Sequence, residues 1–215
     1  MTHRKPLSLA DARAVAPFVL ALASALLGLS CGHGKGAQSP FAKPQHAGAL
    51  HWYPLDAGMQ WVYMVGDSVL DQRMMSISRV VSTDGGAAVL RTGPKSVTFR
   101  VVADGILREP DGGYLLKTPP RLGEQWPAAE GANVEVVKLD AHVEVEAGAF
   151  DGCAVTRERF PDGETVERTF CPEVGPVIIE AKGMNEQGAL DVTTATLRSF
   201  GQPETLSPGP SERMR

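Results

Sequence analysis

Residues 153–171, CAVTRERF-PDG-ETVERTFC, read as a β-hairpin with a defined register, and that register decides the fold. Two runs of alternating apolar and polar residues flank Pro161-Asp162-Gly163. A three-residue loop with proline first and glycine in the left-handed position fits a type I turn plus a bulge. Such a loop sets Phe160 opposite Glu164, and pairing then continues outward through Arg157 opposite Glu167 to Cys153 opposite Cys171. The Arg157–Glu167 pair has opposite charges, which supports the register independently. Counted from the closing pair, the two cysteines take a non-hydrogen-bonded position, where Cα atoms approach to about 4.5 Å. That lies within disulfide reach. A Cys153–Cys171 bond closing a loop of about 17 residues stabilises by roughly 3 kcal/mol on the chain-entropy model. The alternative is a pair of reduced, partly buried cysteines; a metal site lacks nearby histidines.

The same period-two alternation recurs on both sides of the hairpin. It is present in WVYMVG from 61, MMSISRVV from 74, AAVLRT from 87, SVTFRVVA from 96, GYLLKT from 113, NVEVVKLD from 133, HVEVEAGAF from 142, PVIIEA from 176 and DVTTATLRSF from 191. Turn signals separate the runs at Asp84-Gly85-Gly86, Asp104-Gly105, Asp111-Gly112-Gly113 and Asp162-Gly163. Strands at about ten-residue spacing with short loops predict a mainly β fold. The expected architecture is an antiparallel meander closed into a barrel-like or strongly curved sheet, with few short helices.

The amino terminus carries an address. Residues 1–13 are polar and net positive, and residues 14–30, AVAPFVLALASALLGLS, are apolar and uncharged. Seventeen such residues suit the apolar region of a signal peptide better than a membrane span. Leu27-Gly28-Leu29-Ser30-Cys31 then resembles a lipobox, the site at which bacterial lipoproteins are lipidated and cleaved. Gly28 departs from the usual leucine of that motif. Residues 1–30 are therefore expected to be a lipoprotein-type signal peptide and Cys31 the lipidated residue. An ordinary cleaved signal with an incidental cysteine, and a retained anchor, are the alternatives. Several acyl chains on Cys31 suffice for stable attachment to a membrane. By the enterobacterial sorting rule that the resemblance implies, Gly32 directs the chain to the outer membrane, facing the periplasm. Assigning Cys31 to lipid leaves Cys153 and Cys171 to pair in an oxidising compartment.

Residues 31–50 read as a lipidated cysteine and flexible tether, rich in Gly, Ala, Pro and polar residues. Residues 201–215 read as a disordered tail. The β-rich domain is then 51–200, long enough to bury a core of its own. Residues 1–30 hold three of the 21 basic and one of the 25 acidic side chains, so the remainder carries 18 and 24, a net of −6. A mildly acidic domain without a basic cluster has nothing to neutralise phosphates, which argues against nucleic acid as a partner.

Two short stretches echo each other. Residues 54–61 and 119–126 share P-x-x-x-G-x-Q-W. Each reads as a glycine-containing turn followed by a strand that opens with a large anchor. Shared turn chemistry is the simpler account; duplication, or stacking of the two tryptophans on a ligand, are the alternatives.

Tyr53-Pro54-Leu55 with Gly58 and Trp61, residues 147–153 (AGAFDGC) and residues 172–177 (PEVGPV) form a pattern of the kind PL..G..W, AG.F..C and P.VG.V. Over about residues 53–180 the chain resembles a group of uncharacterised bacterial secreted proteins, some called TapB-like. The resemblance implies a β-rich envelope domain and carries over no catalytic residue.

Enzyme motifs are lacking. There is no G-x-S-x-G elbow, no Ser-x-x-Lys and no glycine-rich phosphate loop opening a helix. The histidines are His3 in the signal, His33 and His46 in the tether, His51 at the domain edge and His142 alone in a strand, so no metal-ligand spacing arises. Glu144 and Glu146 share a strand face and read as solvated side chains rather than a glycosidase pair. The expectation is a membrane-anchored envelope lipoprotein with a non-catalytic β-domain for binding or scaffolding, without a cofactor, its partner an apolar ligand or an envelope protein. A carrier of an acyl chain in a concave sheet is the first alternative, and a hydrolase with an unrecognised site the second. Apolar alternation suits a hollow interior and a solid core equally well.

Overall fold

A computed structural model describes residues 46–68, 73–185 and 188–203. The signal segment, Cys31, most of the tether and residues 204–215 lie outside the described residues. Within them the chain forms a short helix, α1 (Ala49–Trp52), and strands β1 (Gln60–Asp67), β2 (Arg73–Asp84), β3 (Ala87–Thr92), β4 (Lys95–Val102), β5 (Gly105–Glu109) and β6 (Gly113–Lys117). There follow β7 (Gln125–Pro127), a 3-10 turn at Ala129–Gly131, β8 (Asn133–Val145), β9 (Gly148–Arg159), β10 (Thr165–Cys171), β11 (Gly175–Met184) and β12 (Leu190–Gly201). All twelve join one antiparallel sheet in the order β6-β5-β4-β3-β2-β1-β12-β11-β10-β9-β8-β7. It is an up-and-down meander in which the first and last strands pair: Trp61 faces Phe200 and Asp67 faces Thr193.

The sheet curls until its two edges meet, giving a nearly closed barrel. No backbone ladder joins β6 to β7. Instead Trp126 donates its indole N–H to the carbonyl of Tyr114 at 3.0 Å, and packs with Val134 and Val136. Gly113 lets the edges touch, because a Cβ there would lie 2.2 Å from the Ala129 nitrogen. Bulges in β8, between Val136 and Val143, add local twist and help bend the sheet round.

The hairpin follows the predicted register. Thr165 faces Arg159, Glu167 faces Arg157 and Phe170 faces Ala154. The Phe160 N–H donates to the Glu164 carbonyl at 2.9 Å, and Gly163 has φ +92°. Cys153 and Cys171 are disulfide-bonded, with Cα atoms 4.2 Å apart. Arg157 Nε donates to Glu167 Oε1 at 2.6 Å.

The echoed motifs open the two six-stranded halves, β1–β6 and β7–β12. Their turns carry the same three hydrogen bonds. In the first, Met59 N–H donates to Asp56 O (3.0 Å), Gly58 N–H to Val80 O (2.9 Å) and Val80 N–H to Met59 O (2.8 Å). In the second, Glu124 N–H donates to Arg121 O (3.0 Å), Gly123 N–H to Val136 O (2.9 Å) and Val136 N–H to Glu124 O (3.0 Å). Each tryptophan then reaches into the other half, Trp61 to Val174 O at 2.6 Å and Trp126 to Tyr114 O. Both indoles are buried in packing against protein, so stacking on a ligand is not their role in this structure.

The tether boundary differs from expectation. Residues 46–50 pack on the barrel: Ala49 is buried and belongs to the main core cluster. The composition of this stretch carries no apolar period, which hid the docking of a single helical turn.

Candidate ligand cavity

An up-and-down topology puts the β1–β2, β3–β4, β5–β6, β9–β10 and β11–β12 connections at one end and the chain's entry into β1 at the other. That second end is stoppered. Tyr53 sits in its middle, with ring centroids 5.1 Å from Trp61, 6.0 Å from Phe99 and 6.3 Å from Phe170. Tyr63 donates its hydroxyl to Pro176 O at 2.8 Å. Burial pushes both phenols above their ordinary values, so both stay neutral. Gly175, at φ +95°, lets the β10–β11 connection pass over Tyr53, since a Cβ there would lie 2.8 Å from the ring.

Above the stopper the barrel is hollow. A cavity of about 820 Å³ opens toward the other end. Its walls are the inward rows of several strands: Val65 on β1, Leu90 on β3, Val97 and Phe99 on β4, Phe170 on β10 and Ala195 on β12. Twelve strands enclose more width than these side chains fill. At the open end the lip mixes exposed apolar side chains with Lys95, Glu130 and Glu164. Met74, Met75 and Ile77 line the cavity and are about half exposed, and Met184 faces Leu190 across the exposed end of the β11–β12 hairpin. Exposed apolar side chains grouped at a mouth mark an interaction site.

Lys95, Glu130 and Glu164 line the cavity, and two arginines reach into it. Arg168, on the inward row of β10 between Val166 and Phe170, pairs with Glu158 on β9 at 2.5 Å. Arg108 continues the inward row of Ile106 on β5 and lines the cavity. Burial lowers its guanidinium from the ordinary value and the Arg168 charge adds to this, while Glu158, Glu130 and Asp111 oppose it.

A second polar cluster fastens the stoppered end. His46 donates from Nδ1 to Glu173 Oε2 (2.8 Å) and from Nε2 to Asp56 Oδ2 (2.6 Å). His51 Nδ1 meets Glu173 Oε1 at 2.7 Å. Burial opposes a charge on His46, but the hydrogen bonds to Glu173 and Asp56 outweigh it and raise its value. Both ring nitrogens face carboxylates, an arrangement that favours the imidazolium with its two donors. Sequence reading left His46 and His51 as unrelated residues, because Glu173 is more than a hundred positions away and nothing local points to it. His142 is exposed, with Asp151 at 2.6 Å and Glu144 at 3.3 Å. Glu146 lies in the β8–β9 turn and pairs with Arg198. Among the described residues no group of three His, Cys, Asp or Glu side chains is arranged to hold a metal ion.

The chain matches no protein-family model and no curated protein. Two solved structures are similar to it. One is a Bacteroides fragilis protein described as exported, with a YmcC-like fold: the TM-score is 0.38 at 13% identity, over 68% of this chain and 96% of that one. The other is a Parabacteroides distasonis protein described as a lipoprotein: the TM-score is 0.40 at 12% identity, over 70% of this chain and 98% of that one. Likeness at this level carries no argument about function.

Proposed function

We propose that this protein is a lipid-anchored envelope protein whose barrel takes up an apolar ligand, a binding role without turnover. The observation that carries the reading is the cavity of about 820 Å³, walled mostly by apolar side chains and open at one end. Its volume falls in the range of pockets that enclose small ligands, roughly 300–1,000 Å³. A barrel serving only as a scaffold gains nothing from an unfilled interior, since each void forfeits packing contacts. The anchor rests on Leu27–Cys31 and its likeness to a lipobox, and the outer membrane on Gly32.

Two measurements test this. Organic extraction and native mass spectrometry of the purified protein should recover a co-purified apolar molecule, and Ala195→Trp, which narrows the cavity, should reduce its occupancy. Protein isolated empty, and unable to take up any long-chain probe, would remove the binding role. For the anchor, Cys31→Ala should release the protein from membranes; retention after a high-salt wash would contradict it.

A further inference from the structure

The charged side chains on the cavity wall are Lys95, Arg108, Glu130, Glu164 and Arg168, set among apolar residues and a few hydroxyls. Three of the charged groups sit together: the partly buried Arg108 and Arg168, and the buried Glu158. Glu158 is committed to Arg168. Arg108 makes no ion pair with any described residue, and the other carboxylates that act on it, Glu130 and Asp111, belong to exposed residues whose influence solvent screens. Within this trio the guanidiniums outnumber the carboxylate, while Lys95, Glu130 and Glu164 line the cavity toward its open end. A cation held in an apolar cavity without a partner is costly, and a folded chain keeps one where a ligand completes it. Guanidinium presents a planar fork that matches the two oxygens of a carboxylate or phosphate.

We propose that the cavity binds amphiphiles with an anionic head, a carboxylate or a phosphate, the head meeting Arg108 beside the Arg168–Glu158 pair and the tail lying along Val65, Leu90, Val97 and Phe99. The inference rests on the apolar-ligand reading and names the class of ligand. It also explains why arginine stands at position 108: a solid barrel wall would be served by another aliphatic residue in line with Ile106.

The test uses the full chain carrying Cys31→Ser, which removes the acceptor for lipid and with it the need for detergent. Three probes of equal chain length, a sixteen-carbon carboxylate, the corresponding alkyl phosphate and the corresponding alcohol, are titrated by displacement of a fluorescent fatty acid. At least one acid should bind about tenfold or more tightly than the alcohol, the size of one charge-assisted hydrogen bond. Which acid leads separates a fatty acid from a phosphate head. Arg108→Gln should abolish the preference while leaving alcohol binding intact, and Arg108→Lys should keep part of it. Equal binding of acids and alcohol by the unsubstituted pocket, or an undiminished preference in Arg108→Gln, overturns the anionic head and leaves the apolar cavity standing. Failure of all three probes to bind overturns both.

Discussion

Arg168 and Glu158 form an ion pair inside the barrel, with Nη1 and Oε2 2.5 Å apart and only 14% and 3% of the two side chains exposed. They lie on β10 and β9, the strands that the disulfide joins nearer the stoppered end. Bringing two charges out of water is unfavourable by several kcal/mol per ion, and close geometry offsets it only while both partners are present.

Removing one partner should therefore be worse than removing both. Glu158→Gln leaves a buried guanidinium without its carboxylate and should destabilise by about 3–5 kcal/mol. The double variant Glu158→Leu with Arg168→Met should fold with stability near that of the unsubstituted chain. Urea denaturation reads both; a double variant as unstable as the single one would show that the pair contributes through packing instead.

Loss of the covalent link acts differently. Cys153 and Cys171 are 18 positions apart, and the chain-entropy model gives roughly 3 kcal/mol for closing such a loop. Replacing both by alanine, or adding reductant, should lower the unfolding free energy by about that amount and the denaturation midpoint with it. An unchanged midpoint means that the turn at Pro161–Gly163 already restrains the unfolded hairpin.

Gly175 tests the stopper. At φ +95° a side chain is strained, and its Cβ would press on the Tyr53 ring from 2.8 Å. Gly175→Ala should destabilise by about 1–3 kcal/mol. It should also shift the near-ultraviolet signal of the Tyr53–Trp61 contact. A variant with the stability and spectrum of the parent would place the ring contact elsewhere.

The docking of residues 46–52 should depend on pH in both directions. His46 is raised from 6.5, so its contribution is complete below that pH and is lost as pH climbs through the raised value. Glu173 is lowered from 4.5, so its contribution is complete above that pH and is lost as pH falls through the lowered value. The segment should be held best between these two ordinary values. Hydrogen exchange of the amides of residues 46–53, corrected for intrinsic rates, should quicken on either side of that window. His46→Gln should lose the alkaline limb; protection in the parent that does not change with pH would contradict the arrangement.

Much of the barrel's wall is legible in local patterns. Alternation and turn residues locate the strands, because a strand's two faces and a tight turn depend on neighbours within a few positions. The hairpin register follows for the same reason, down to Arg157 opposite Glu167 and the facing cysteines. The P-x-x-x-G-x-Q-W echo likewise foretold two similar turns, although not that each opens half of the ring.

The sequence by itself thus determined the strands, the meander, the register of β9 on β10 and the partnership of Cys153 with Cys171. Only the tertiary structure decided that β1 meets β12, that Trp126 closes the seam on Tyr114, that His46 and His51 converge on Glu173, and that the interior is hollow. Alternation states which residues share a face. It does not state how many strands complete a ring, how tightly they curl, or whether the inward side chains then fill the width enclosed. Those depend on contacts between residues far apart in the chain, and it is this closure that turns Arg108, in line with Ile106, into a partly buried cation facing a cavity.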